Sequence, residues 1–550
     1  MRLFRSSLAF ALLLTLSCTT SPVLYASKQR SAGRTLPPPP AVAQWQHEWA
    51  EGAVFYEIFV RSFADSNGDG VGDLQGLIAK LDYLNDGDPA TTSDLGVEGI
   101  WLMPVFESPS YHGYDTVDYE TIERDYGTNA DFAKLLEEAH KRGIRVIVDF
   151  VVNHTSNQHP WFAESASSTA SPKRDWYVWS PVSQGWGPPW GGTAPTWHSR
   201  NGAFYYGVFW SGMPDVNWKS PEAKAEMLRL TRHWLQQGVD GYRLDATRYL
   251  VETGGGAGQA DTAETHAALK DLAAEVRKTK PDSILVAENW TTAPIIATYY
   301  GDTDVIRGGD EMPMNFNFPV SDAILAGVNG GNASRIAEAL EAMQALYPAG
   351  VLDAPFLTNH DHVRVATQLG GNANKLRNAA AILLTLPGTP FLYYGEEVGI
   401  VNGTTNNDEA KRTPMPWTPN GGFSTASPWF PYSGSTATAN VAMQTNDHNS
   451  LLSRYRNLIR VRNSSVALKK GDLQLLDGGS QVLAFLRTEG SERALVVHNV
   501  SDGFATTAPM QFTAARFETL FGDITATPSG GNGTFTVSLP PRATMIWKVE

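Results

Sequence analysis

A chain of 550 residues, 42% hydrophobic and only 18% charged, can bury a large core and is too apolar to stay disordered. Its 57 acidic residues outnumber 43 basic ones, and the net charge of −14 leaves no basic surplus for a nucleic-acid partner. One cysteine excludes an intrachain disulfide framework and any thiolate-rich metal centre.

The chain opens on an address. Arg2 and Arg5 precede an apolar run from Leu8 to Leu16, too short to span a bilayer. It reads as the core of a signal peptide over residues 1–26. Cys18 follows directly and looks like a bacterial lipoprotein cleavage site, although Thr15 and Leu16 reverse the usual order. Ordinary cleavage near Ala26 is the competing reading. Either way the mature protein is expected outside the cytoplasm, secreted or lipid-anchored at the cell envelope. A membrane would be touched only through Cys18. Residues 27–44, with prolines at 37 to 40, read as an extended linker.

From Val54 onward, apolar β-rich runs alternate with helical patterns. The strand candidates are Val54–Val60, Gly99–Val105, Ile144–Val152, Gly238–Ala246, Ile284–Glu288, Met314–Phe316, Pro355–Asn359 and Pro390–Tyr394. Helices are expected around Leu74–Leu84 and Ala130–Arg142. Eight such units predict a closed (β/α)8 TIM barrel over residues 45–152 and 219–465. A doubly wound sheet would announce itself with a Gly-rich phosphate loop after the first strand, and Val54–Phe63 carries none.

Spacing adds detail. Asp149 and Asp245 lie 96 residues apart, where one barrel unit takes about 30. The excess predicts a subdomain inserted after strand three, residues 153–218, which holds eight of the 16 tryptophans. The intervals from Asp245 to Glu288 (43 residues) and to Asp361 (73 more) place these acids at the ends of strands four, five and seven. From residue 466 the pattern changes to short strands with Gly/Ser/Asn turns: Leu473–Leu476, Val482–Arg487, Ala494–Asn499, Arg516–Thr519 and Phe535–Leu539. These predict a C-terminal antiparallel β domain, residues 466–550.

In Gly241-Tyr-Arg-Leu-Asp245, strand alternation puts Arg243 and Asp245 on one face. Alone, this reads as a buried structural ion pair. With Glu288 and Asp361 at other strand ends, it reads as an active site at the barrel mouth. Three carboxylates without a phosphate loop suit glycosidic chemistry: nucleophile, proton donor and a third group. A separate signal is Asp65-Ser-Asn67-Gly-Asp69-Gly-Val71-Gly-Asp73, with oxygen ligands at alternate positions. It resembles a calcium loop, although Gly76 stands where an EF-hand needs glutamate. An Asx-rich turn is the alternative.

Four motifs in order resemble the α-amylase family of glycoside hydrolases and transglycosidases. They are Asp149-Phe-Val-Val-Asn-His154, Gly241-Tyr-Arg-Leu-Asp-Ala246, Ala287-Glu-Asn289 and Thr358-Asn-His-Asp361. The resemblance runs from about Val54 to the C-terminus. It implies an eightfold barrel, a domain inserted after strand three and a C-terminal β-sandwich. It implies Asp245 as nucleophile and Glu288 as general acid and base. Asp361 would grip the 2- and 3-hydroxyls of the distorted sugar. Arg243 would hold Asp245 ionised, and His154 and His360 would donate to the same sugar ring. Tyr114 and Asp115, in His112-Gly-Tyr-Asp115, match the strand-two loop whose tyrosine stacks on that ring. Trp290 would stack a further sugar.

The loop at Asp65, Asn67, Asp69, Val71 (by its carbonyl) and Asp73 looks like the structural Ca2+ site after the first barrel strand in oligosaccharide-active members. A different calcium site common in α-amylases is in doubt, because Arg248-Tyr249 replace its Lys-His pair. Met213-Pro-Asp-Val-Asn217 mixes the oligo-1,6-glucosidase and neopullulanase forms and resembles an intermediary group of bacterial, often lipoprotein, α-amylases. Tyr394-Gly-Glu-Glu-Val-Gly399 and Arg412-Thr-Pro-Met-Pro-Trp417 look like the α-glucosidase and trehalose-synthase side. The expected protein is a monomeric, retaining, endo-acting α-1,4-glucan hydrolase on starch and maltooligosaccharides. One alternative is an exo-α-glucosidase, oligo-1,6-glucosidase or transglycosidase on short glucans, with Asp115 and Arg364 clamping the terminal glucose. The other is a non-catalytic glucan-binding surface protein.

Overall fold

Eight parallel strands close on themselves in the computed structural model, which describes residues 42–550. They are β1 (Phe55–Ile58), β2 (Gly99–Leu102), β3 (Arg145–Phe150), β4 (Gly241–Leu244), β5 (Ile284–Ala287), β6 (Met314–Phe316), β7 (Leu352–Ala354) and β8 (Phe391–Tyr393). Each pairs in parallel with the next from β1 to β7. β8 returns to β1, and a Phe356–Phe391 bridge joins the β7 edge to β8. The expected barrel is therefore present. The signal peptide, Cys18 and nearly all of the linker fall outside the described residues. Among the described residues, no helix is long and apolar enough to cross a membrane.

Side-chain alternation builds two cores from the same strands. Phe55, Trp101, Ile147, Ile284, Val286, Met314, Phe316 and Phe391 point inward and pack together. Their neighbours Tyr56, Ile100, Val146, Val148, Tyr242 and Leu285 face the helices and join a second, larger cluster. Large rings fill the interior, with Phe55 and Phe391 stacked 4.7 Å apart. The barrel is a packed core, so chemistry is confined to its mouth.

Two local expectations change. Strand seven is Leu352–Ala354 rather than Pro355–Asn359. Pro355 has no N–H to continue the ladder, only a carbonyl that accepts from Phe391 N at 2.9 Å. The chain beyond it is free to turn toward Asp361. The helical stretch Leu74–Leu84 is two short helices, Leu74–Ile78 and Leu81–Leu84.

Between β3 and the helix Pro221–Gln236, the insert folds as a helix (Pro160–Ser167) and a small antiparallel sheet of Trp179–Ser180, Ala203–Tyr206 and Trp197–Arg200. Most of its aromatic rings pack on one another. Phe162, for example, lies against Trp179, Tyr177 and Tyr205.

The C-terminal sheet holds five antiparallel strands: β9 (Asp472–Leu476), β10 (Val482–Glu489), β11 (Glu492–Asn499), β12 (Phe517–Gly522) and β13 (Thr544–Val549), in the order β9-β10-β11-β13-β12. β13 was not singled out in the sequence, yet it pairs on both sides. The β domain begins later than residue 466, because Val466–Lys470 is a helix capped by Ser465. Arg462, fully buried, ties this end of the chain to the barrel through the carbonyls of Gly52, Leu384, Leu386 and Gly388.

Candidate active site

The centre of the site is one guanidinium. Arg243 points inward from β4 and is 0% exposed. Its Nη1 donates to Asp149 Oδ1 at 2.9 Å and to Asp245 Oδ1 at 2.7 Å. Its Nη2 lies 2.9 Å from Glu288 Oε2. The carboxylates come from the ends of β3, β4 and β5, which are neighbours in the sheet. Trp101 and Tyr114 rings flank the guanidinium at 5.2 and 5.8 Å.

Three acids on one cation leave a surplus of negative charge in a buried place. Burial pushes the Asp149 carboxyl up to about 7, with Arg243 pulling the other way. Burial also pushes Glu288 up to about 7. Arg243 opposes this, and the charges of Asp245 and Asp361 add to it. Ala246, in the left-handed region at φ 51°, turns its N–H onto Glu288 Oε2 at 3.1 Å.

Asp361 arrives from the loop after β7 and is treated differently. His360 Nε2 lies 3.1 Å from its Oδ2, and Arg412 Nη2 donates to its Oδ1 at 2.9 Å. Burial would raise its pKa. The cations His360, Arg412 and Arg243 outweigh that and hold the carboxyl well below the usual range. His360 is buried, which disfavours its charge, but Asp361 and Glu57 push it up to about 9. Its Nδ1 is 2.6 Å from Glu57 Oε1. Tyr114 completes the network: its hydroxyl donates to Asp149 Oδ2 at 2.9 Å and sits 2.6 Å from His360 Nε2.

Above these groups opens a cavity of about 590 Å³. Asp245, Glu288 and Asp361 all line it, together with Tyr114, His154 and Trp290. His154 is buried with its Nε2 unpartnered, which fits a hydrogen bond to a bound hydroxyl. Trp290 is half-exposed and rests on Phe318 and His362 at 5.0 and 4.5 Å. Trp190 and Phe209, stacked 5.4 Å apart, bring the insert to the cavity wall.

Three expected sugar contacts are not on the wall. His360 is fully buried, and both ring nitrogens face protein groups, so it acts beneath Tyr114 and Asp361. Asp115 is buried and turned to the hydroxyls of Ser108 and Ser110. Arg364 is buried against Tyr393 and Tyr394, its Nε and Nη1 spent on the carbonyls of Lys411 and Tyr394. Asp149, Arg412 and Glu57 are site groups beyond those to which the sequence assigns a role. Arg412 lines the cavity and grips Asp361; its motif had marked only a subgroup. Glu57 sits at the end of β1 in a run that otherwise reads as plain core.

The Asp65–Asp73 loop offers hard oxygens, the donor chemistry calcium prefers. In the structure those oxygens hold the loop itself. Asp65 accepts from the N–H groups of Asn67, Gly68 and Gly70, and Asp73 accepts from Ser66 and from Gly76 at a helix start. Among the described residues, no three acidic, histidine or cysteine side chains gather to hold a metal. Near the barrel mouth, Arg248 is paired with Asp261.

Comparison with known proteins follows the same lines. Residues 57–471 match the family model "Alpha amylase, catalytic domain", and residues 473–550 match "Alpha amylase, C-terminal all-beta domain". The chain belongs to the α-amylase family. It is 38% identical over 463 residues to alpha-amylase 3 of Dictyoglomus thermophilum, covering 83% of this chain and 86% of that protein. It is 37% identical over 494 residues to a trehalose synthase/amylase of Mycolicibacterium smegmatis, covering 80% of each. It is 31% identical over 521 residues to an oligo-1,6-glucosidase of Parageobacillus thermoglucosidasius, covering 82% of this chain and 91% of that protein. The crystal structure of an α-amylase from H. orenii superposes with a TM-score of 0.81 at 38% identity, over 91% of this chain and all of that one. As an α-amylase family member, the protein is a glycoside hydrolase or transglycosylase of α-glucans.

Proposed function

We propose that this α-amylase family enzyme cleaves internal α-1,4-glucosidic bonds of starch and maltooligosaccharides by double displacement. The carrying observation is that Asp245 and Glu288 sit on the two Nη nitrogens of one guanidinium. Such closeness supports a retaining pair, whose carboxyls stand about 5–5.5 Å apart, over the wider inverting arrangement.

In this reading Arg243 holds Asp245 in place and aims it by a charge-assisted hydrogen bond. A carboxylate oxygen of Asp245 attacks the anomeric carbon as the glycosidic C–O bond breaks. The proton on Glu288 passes to the departing oxygen. Water then gives its proton to Glu288, and its oxygen displaces Asp245 from the anomeric carbon. Two inversions restore the α-configuration. Asp361 and His154 bind hydroxyls of the distorted ring, while Tyr114 packs against it.

Endo action is supported by two exposed tryptophan rings on the cavity wall. Trp190 and Trp290 are 53% and 48% exposed on the cavity, available to further sugars. The exo alternative draws no support from Arg364 and Asp115, which are turned into the protein. We further propose an extracytoplasmic location, where polymeric glucan is met, on the strength of Arg2 to Leu16 and Cys18. On donor chemistry alone, we propose that the Asp65–Asp73 loop takes a structural calcium ion; no catalytic step runs through it.

Three measurements follow. A time course on amylose is expected to show mixed oligosaccharides first, whereas glucose alone from the start contradicts endo action. The pH profile of kcat/KM is expected to fall above about 7, because Glu288 must carry its proton and is held near that value. An unbroken plateau to pH 9 would remove Glu288 as the acid. Chelation is expected to lower Tm by several degrees, with Asp69→Ala losing that dependence; a Tm indifferent to chelator ends the calcium proposal.

A further inference from the structure

Three consecutive residues after Asp245 each hold one of the three consecutive residues that begin with Glu288. Ala246 N–H reaches the Glu288 carboxylate at 3.1 Å. Thr247 Oγ1 donates to the Glu288 carbonyl at 3.0 Å and lies 2.8 Å from Asn289 Oδ1. Arg248 Nη1 donates to the Trp290 carbonyl at 3.0 Å. The first two rungs come from a backbone N–H and a short hydroxyl. The third depends on a long side chain with many rotamers, so something must fix it.

Asp261 does so. Its Oδ1 accepts from Arg248 Nε at 2.8 Å and its Oδ2 from Arg248 Nη2 at 2.5 Å, a two-point fork. Its own N–H donates back to the Arg248 carbonyl at 2.9 Å. The Tyr299 hydroxyl, behind the short helix after β5, donates to the same Oδ1 at 2.7 Å. Asp261 stands in the left-handed region at φ 56°, which aspartate tolerates better than most residues. The Arg248 nitrogens Nε, Nη1 and Nη2 are thus all committed to protein acceptors. Arg248 lines the cavity as a strut more than as a sugar ligand.

We propose that Asp261 is a positioning residue for the acid/base segment. It holds Arg248 on the Trp290 carbonyl, which keeps the Trp290 ring on Phe318 and His362 as a platform for the sugar on the leaving-group side. It also keeps Glu288 in register with Asp245. The proposal rests on the reading of Asp245 as nucleophile and Glu288 as acid. Asp261 does not line the cavity, so its effect must pass through Arg248.

The test compares two substrates. Maltotriose needs both a proton on its departing oxygen and a platform for the departing sugar. 2,4-Dinitrophenyl α-maltoside needs neither, since its leaving group departs as a stable anion. Asp261→Asn preserves size and tolerates the left-handed backbone. It is expected to cut kcat/KM on maltotriose by about tenfold or more, while the dinitrophenyl substrate stays within about twofold. Arg248→Met is expected to lose a similar factor on maltotriose, with the double variant no worse than the poorer single one. Equal losses on both substrates, additive losses in the double variant, or unchanged maltotriose turnover would each overturn the proposal. A wild-type enzyme inactive on both substrates would overturn the functional reading, and this inference with it.

Discussion

Arg243 has no exposure to solvent and touches three carboxylates, so every charge at the barrel mouth is arranged around a group that cannot leave. Five acids (Glu57, Asp149, Asp245, Glu288 and Asp361) share the space with three cationic side chains, Arg243, His360 and Arg412. The crowding shifts some of these groups toward their protonated forms. Burial raises Glu57, Asp149 and Glu288 together, while His360, Arg412 and Arg243 hold Asp361 well below the usual carboxylate range. A fold that buries too many carboxylates near one arginine therefore yields both an acid that keeps its proton and a carboxylate that keeps its charge.

The barrel makes that arrangement inexpensive in sequence. β3, β4 and β5 are neighbours, so Asp149, Arg243 and Asp245, and Glu288 meet without long loops. Asp361 comes from the loop after β7, where Pro355 removes one ladder donor and only a single bridge, Phe356 to Phe391, follows before the chain turns. The insert after β3 has a small core of its own and contributes Trp190 and Phe209 to the cavity wall. The charged groups thus sit on rigid strand ends, while attached segments supply aromatic wall to the cavity.

The barrel was legible because its strands are apolar on both faces and recur with helical spacers. The acids were legible because each ends such a run. Contacts decided by direction were harder to read. His360, Asp115 and Arg364 stand beside motif residues in sequence, yet the local backbone turns them inward to Glu57, to Ser108 and Ser110, and to two carbonyls. Arg412 was hidden by distance, since it meets Asp361 only when the segment after β8 folds back over the mouth. β13, Thr544-Met-Ile-Trp-Lys-Val549, is rich in β-formers, but as a single short run behind a proline-containing turn it shows no partner strand in the sequence. The boundary at 466 slipped because a five-residue helix with a serine cap precedes the first strand.

The account turns on Asp245 forming a bond to the sugar beside Glu288. The most direct measurement is mass spectrometry of the Glu288→Gln variant after incubation with an α-glucosyl fluoride, a donor that needs no acid to depart. The account predicts one added glucosyl group, mapped to the peptide carrying Asp245. Release of fluoride with no adduct on that peptide, or an adduct at another carboxylate, would contradict it.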